Sequence, residues 1–248
     1  PFELIAPTTI SLFNNTTAAP AVMQDDRAKP ERDHYFDVSA TQVVVPGLRV
    51  GLDAYYKIAS DLLDEGQFGA PIILTPFNYQ KGFVKGVEST ISYDMGDWSF
   101  YGNLAISRAV GKNINSAEFN FGPDELAYIA DHFIYLDHDQ HVTGSAGLKY
   151  RLPRTKTLFS ADLTAGSGLR ATPVGGIPNS VALHNYEQVN FSIVQPVETG
   201  IYKGLELRLD IINLFDTVYQ IRNGTGVGVG APQFGPRRTV LAGLTQRF

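Results

Sequence analysis

From Leu48 to Ile58 the chain reads LRVGLDAYYKI, and Leu48, Val50, Leu52, Ala54, Tyr56 and Ile58 alternate with Arg49, Gly51, Asp53, Tyr55 and Lys57. A period of two puts the first set on one face of an extended strand and the second on the other. The pattern recurs in LELRLDI, where Leu205, Leu207, Leu209 and Ile211 oppose Glu206, Arg208 and Asp210, and in HVTGSAGLKY, where Val142, Ala146, Leu148 and Tyr150 oppose His141, Thr143, Ser145 and Lys149. Followed along the chain, it gives about nine strands, at roughly 35–45, 48–59, 78–94, 98–110, 140–151, 157–167, 184–195, 204–219 and 237–248. Most are near or beyond ten residues, longer than is usual in globular sheets and close to what a tilted strand needs to cross a bilayer.

The connections narrow the choice further, because their lengths alternate. Short turns are expected at VPG (45–47), MGD (95–97), LPRTK (152–156) and about 197–203, and long loops at about 60–77, 111–139, 168–183 and 220–236. Short turns on one rim and long loops on the other characterise transmembrane β-barrels. The fold class is therefore all-β: an antiparallel meander forming part of a transmembrane β-barrel, with Leu48, Val50, Leu52, Leu205, Leu207 and Leu209 facing lipid. Tyr93, Trp98, Tyr150 and Phe248, near the short-turn rim, would contribute to an interfacial aromatic girdle. A soluble β-protein with ordinary core aromatics is the alternative, and it gives no reason for the segregated loops.

Composition excludes several functions. The formal net charge of −5 offers no general basic field for phosphate backbones, so no nucleic-acid partner is expected. Without cysteine there is no disulfide, thiolate metal site or cysteine nucleophile. No run approaches the length of a membrane helix, and PFELIAPTTI lacks the features of a signal peptide.

The last 45 or so residues carry GLELRLDIINLFDTVYQI, a glycine-rich stretch, and GPRRTVLAGLTQRF. Asn213-Leu214-Phe215-Asp216, Tyr219, Gly235-Pro236-Arg237 and the final Phe248 resemble the end of TonB-dependent outer-membrane receptors. KPERDHYFDVSATQ, GLDAYYKIASDLLDEGQFG and FNYQKGFVKGVESTISY resemble earlier strand–loop–strand units of that family, so the likeness spans nearly the whole chain. It implies the bacterial outer membrane, lipid around the barrel, and a C-terminal strand signal (Gly243, Leu244, Phe248) read by the barrel-insertion machinery. It also implies a scarce nutrient bound at external loops and imported with energy from a TonB-type coupling protein. Gln246 departs from the family, which more often has an apolar or aromatic residue there. Barrels of this class have about 22 strands and a plugged lumen. With about nine strands, no plug and no segment like the short box that meets the coupling protein, residues 1–248 are expected to be the C-terminal portion of a longer barrel, the coupling protein acting through the missing N-terminal part. Residues 1–33 are expected to form an external loop. A passive porin is the main alternative, and a barrel-embedded enzyme a lesser one.

Candidate chemistry lies in the loops. DELAYIADHFIYLDHDQH, Asp124–His141, holds His132, His138 and His141 beside Asp131, Asp137 and Asp139, nitrogen and oxygen donors of a kind that Zn, Ni or Cu accept. Their spacing matches no metal motif, so neither a metal nor a cofactor is assigned, and a solvated acidic loop accounts for the same residues. PDELAYIADHF has the pattern of a short helix. Glu118, Asp124, Glu125, Asp131, Asp137 and Asp139 outnumber Lys112 in this loop and would repel an anionic ligand, whereas Arg222, Arg237 and Arg238 would attract one or pair with Glu206 and Asp210. His132, Asp137, His138, His141 and Arg222 are the candidate ligand-binding residues. NGTGVGVGAPQFGPRR precedes a strand rather than a helix, so it is not a dinucleotide fingerprint. Asp53, Glu88, Asp162, Glu206 and Asp210 would line the lumen, and no spacing marks a catalytic dyad.

Overall fold

The computed structural model describes residues 28–68, 73–114, 121–197 and 204–246. Nine long strands form one antiparallel meander: β1 (Arg32–Val45), β2 (Leu48–Phe68), β3 (Ile73–Met95), β4 (Trp98–Ile114), β6 (Val142–Arg151), β7 (Leu158–Gly166), β10 (Tyr186–Val197), β11 (Leu205–Ile212) and β14 (Thr239–Gln246), each paired with the next. Short strands and one helix sit in the connections: α1 (Pro123–Asp131), β5 (Ile134–Tyr135), β8 (Arg170–Ala171), β9 (Val181–Ala182), β12 (Gln220–Asn223) and β13 (Pro232–Phe234). Of the expected 1–33 loop, residues 1–27 lie outside the described residues, and β1 begins at Arg32. Phe248 and Glu118 also lie outside them.

Register fixes which residues share a face. Val38 pairs with Ala54, Ala54 with Val87 and Val87 with Ile106, and farther along the sheet Ile193 pairs with Leu209 and Leu209 with Ala242. The opposite face carries Asp53 against Glu88, Asn103 against Ser145, and Asp162 against Asn190. One face is thus an apolar band and the other polar, the alternation of a barrel wall. Leu52 (57% exposed), Leu104, Ile106 and Val240 stand out on the apolar face. They belong to no protein core, as lipid-facing residues require.

The short-turn rim is tight. Gly47 bends back at φ 83°, where a Cβ would lie 2.6 Å from the Asp94 carbonyl oxygen. Only glycine fits there. Trp98 stacks on Tyr150 with centroids 4.2 Å apart, and Tyr93 on Phe100 at 5.5 Å. Three of the four girdle aromatics therefore gather near one rim.

At the other rim the described residues of the expected loop over 60–77 are strand. β2 and β3 stay paired to Phe68 and Ile73. Asp61 in β2 and Asn113 in β4 adopt left-handed φ of 55° and 57°, and at this level the alternation slips by one residue. Ala59 and Leu62 face the same way, as do Tyr79 and Gly82. Period two breaks there while hydrogen-bond pairing continues, so the extended hairpin rises above the apolar band. β11, expected over 204–219, stops at Ile212 because Asn213 turns left-handed at φ 52°.

A protein core lies on this extension. Ala59, Leu62, Phe77, Tyr79, Phe121, Ile129, Ile134, Leu136 and Val227 are all buried together. α1 contributes Ile129. It starts at Pro123, keeps Asp124 and Glu125 in its first turn where the helix dipole favours them, and ends where His132 becomes extended. The Tyr79 ring lies flat over Gly111, whose hypothetical Cβ would sit 2.4 Å from the ring. Gly111→Ala should therefore displace Tyr79 and cost about 1–3 kcal/mol, the range for overpacking, measurable as a lower urea midpoint for unfolding.

Candidate functional site

The long loops form one interlocked body. Where β6 leaves the edge of β4, β5 takes its place, pairing Tyr135 with Val110 and Ile134 with Gly111. Just below, the Ala109 N–H donates to Asp139 Oδ1 at 2.6 Å. Arg170 donates through Nε and Nη2 to Asp139 Oδ2, at 2.9 and 2.7 Å, and its guanidinium lies 3.9 Å from the Tyr135 ring centroid. Asn179, wholly buried, donates to the Tyr135 carbonyl and accepts from the Val227 N–H, both at 2.8 Å. One amide therefore joins loops preceding β6, β10 and β14. That connectivity is what makes the rim a shaped surface rather than three independent excursions.

Beside this junction is an ionic cluster. His138 Nδ1 lies 3.1 Å from Asp137 Oδ1 and 3.5 Å from Asp64 Oδ1, while Arg222 Nε lies 3.0 Å from Asp137 Oδ2. The Asp64 and Asp137 side chains are 4% and 2% exposed, and that of His138 is 49% exposed. Burial pushes the Asp64 carboxyl up to about 7. The hydrogen bond to Asp137 raises the His138 imidazole against its own desolvation, with Asp64 adding to the effect. Both shifts favour a proton held within the cluster.

Asp137, His138 and Arg222 thus come together as a unit, whereas two of the other candidates stand elsewhere. His141 Nδ1 lies 3.6 Å from Asp139 Oδ2 and 3.3 Å from the Ser107 carbonyl oxygen, on the Arg170 side. His132 stacks on Tyr128 at the end of α1, exposed to solvent and apart from both groups. Asp64 was missed: its only signal is a carboxylate two residues beyond Leu62 on the buried face, readable once the slip at Asp61 is known. The charge balance expected for the loop changes too. Asp137 and Asp139 are buried and paired with arginines, which leaves Asp124 and Asp131 as its exposed carboxylates among the described residues.

Of the arginines beside the last loop, Arg222 pairs with Asp137 and Arg237 with Asp216 rather than with Asp210. Asp210 pairs with Arg208, while Arg237 binds Asp216 through Nε (2.8 Å) and Nη2 (2.5 Å), and the Arg238 N–H donates to Asp216 Oδ1 at 2.9 Å. Arg237, followed by that N–H, holds the Asp216 carboxyl well below the usual range. Of the expected barrel-terminal signal, Gly243 pairs with Arg208 and Leu244 with Leu207 in the last described strand.

No family model matches the sequence, and no curated protein sequence matches it. Solved structures do match. The FrpB iron transporter from Neisseria meningitidis superposes with a TM-score of 0.60 at 15% identity, over 90% of this chain and 32% of that one. The siderophore receptor PiuA from Acinetobacter baumannii gives 0.60 at 12% identity, over 86% and 28%. The copper transporter OprC gives 0.57 at 15% identity, over 88% and 31%. The chain spans about a third or less of the length of these proteins, and what it shares with them is the barrel fold.

Proposed function

We propose, on the premise that this is the barrel fold of TonB-dependent outer-membrane receptors, that the chain is the C-terminal portion of such a receptor in a bacterial outer membrane. Its external loops would help bind a scarce nutrient, such as a ferric siderophore, a cobalamin-like chelate or an oligosaccharide. Import would draw on a TonB-type coupling protein engaged by parts of the protein beyond this chain. The observation that carries the reading is the asymmetry of the two rims. One has tight turns, whereas the other carries loops locked together through Asn179, Asp139 and Arg170, a fixed surface of the kind selective binding needs. A passive channel needs no such preorganised crown.

The full-length protein, expressed in cells that lack their own receptors, should restore uptake of at least one substrate from a panel of ferric siderophores, cobalamins and oligosaccharides. Deleting the coupling protein or collapsing the proton gradient should abolish that uptake. Uptake indifferent to both treatments would replace this reading with a passive porin.

A further inference from the structure

We propose that Asp64, Asp137 and His138 form a binding site for one divalent transition-metal cation, which clamps the raised β2–β3 hairpin to the loop between β5 and β6. The three residues come from two distant stretches of chain, and each offers one donor atom, all within 4.8 Å of one another. The separations of 3.1 and 3.5 Å from His138 Nδ1 to the two carboxylates bracket the ligand–ligand spacing of about 3.4 Å that bonds of about 2.0–2.2 Å impose on a tetrahedral shell.

A second observation points the same way. Asp64 Oδ2 and the Tyr79 hydroxyl are both buried and have no hydrogen-bond partner, and the hydroxyl is close enough to both carboxylates that they add to its raised pKa after burial itself. Buried polar atoms left without partners are costly, and a cation beside Asp64 offsets that cost. Arg222 lies on the other side of Asp137, its Nε 3.0 Å from Oδ2, and offsets the charge of that oxygen while Oδ1 faces His138. The imidazole disfavours Ca²⁺ and Mg²⁺, which prefer all-oxygen shells. Two carboxylates and one imidazole suit Zn²⁺, Mn²⁺ or Fe²⁺. The half-exposed side of His138 gives the ion a way in and lets water complete its shell. The competing arrangement is a protonated His138 balancing the carboxylates together with Arg222, so binding exchanges that proton for the dication.

The test uses chelator-treated full-length protein in detergent, equilibrium dialysis against Zn²⁺ and Mn²⁺, and Mg²⁺ as control. Wild type should bind one equivalent of Zn²⁺ or Mn²⁺ that His138→Ala and Asp64→Asn each weaken at least about tenfold, while His132→Ala binds as wild type. The bound metal should also slow proteolysis within residues 121–141 in wild type and not in His138→Ala. Because His138 is half exposed, its alanine variant should fold even if Asp64→Asn does not. Absence of a stoichiometric equivalent in wild type, or equal binding by the His138 variant, would overturn the proposal. No transport is measured, so the result stands whatever the protein imports.

Discussion

Replacing Asn213 with alanine is expected to destabilise the folded protein by about 3–5 kcal/mol, seen as a large drop in the urea midpoint of the full-length barrel. Asn213 is wholly buried at the end of β11. Its Nδ2 donates to the carbonyls of Thr217 (2.9 Å) and Pro236 (2.8 Å), its Oδ1 accepts from the Thr217 N–H at 2.9 Å, and its own N–H donates to Asn190 Oδ1 at 2.9 Å. Alanine removes the three side-chain bonds and leaves their backbone partners unsatisfied. It also puts a Cβ without a polar group at φ 52°, a conformation that asparagine tolerates and alanine does not. Asn213→Gly should recover the conformational part alone. Asn213→Asp should do no better than alanine, because a carboxylate oxygen would face two carbonyl oxygens. If the alanine variant unfolds within about 1 kcal/mol of wild type, the amide is not the tie that the geometry indicates.

The same network shows why the closing motif reads as it does. Asn213 reaches Pro236, Asp216 holds Arg237 and the Arg238 N–H, and the Gly235 N–H donates to the Tyr219 carbonyl at 3.0 Å. A Cβ on Gly235 would fall 2.0 Å from the Tyr219 ring, which stacks on Tyr186 at 4.7 Å. Asn213, Asp216 and Tyr219 on one side and Gly235-Pro236-Arg237 on the other are therefore the two ends of one knot, which brings the loop between β11 and β14 back to its start. That role could not be read from the sequence, where the ends lie some twenty positions apart.

Other features were legible for a physical reason. The strands β1, β4, β6, β7 and β10 start or stop within a few residues of expectation because period two and turn glycines act locally. The alternation failed where left-handed residues interrupt it. Beyond Asp61 and Asn113 the upper ends of β2 and β4 were not legible, nor was the start of β3 that pairs with β2 there, and Asn213 ended β11 although Leu214, Phe215 and Val218 continue an apolar pattern. In the site, loop polarity pointed to Asp137, His138 and Arg222, but only tertiary packing brings Asp64 to them and leaves His132 outside. Proximity in sequence says little about proximity across a rim built from separate loops.

Arg170→Ala should have the second large effect, and a local one: about 3–5 kcal/mol lost from the loop assembly, read by hydrogen exchange of residues 134–141 and 167–185. Arg170 and Asp139 are 5% and 1% exposed at their side chains. Without the guanidinium, the Asp139 carboxylate stays buried with one hydrogen-bond donor, the Ala109 N–H, and the half-exposed His141 imidazole at 3.6 Å, and the Tyr135 ring loses the cation against its face. The penalty comes less from the lost attraction than from the uncompensated charge, and this distinction can be tested. Adding Asp139→Asn to Arg170→Ala keeps an acceptor for the Ala109 N–H and removes the charge, so the double variant should regain a substantial part of the lost protection. If it is no more protected than Arg170→Ala alone, the arginine acts mainly through its packing on Tyr135, 3.9 Å from the ring centroid.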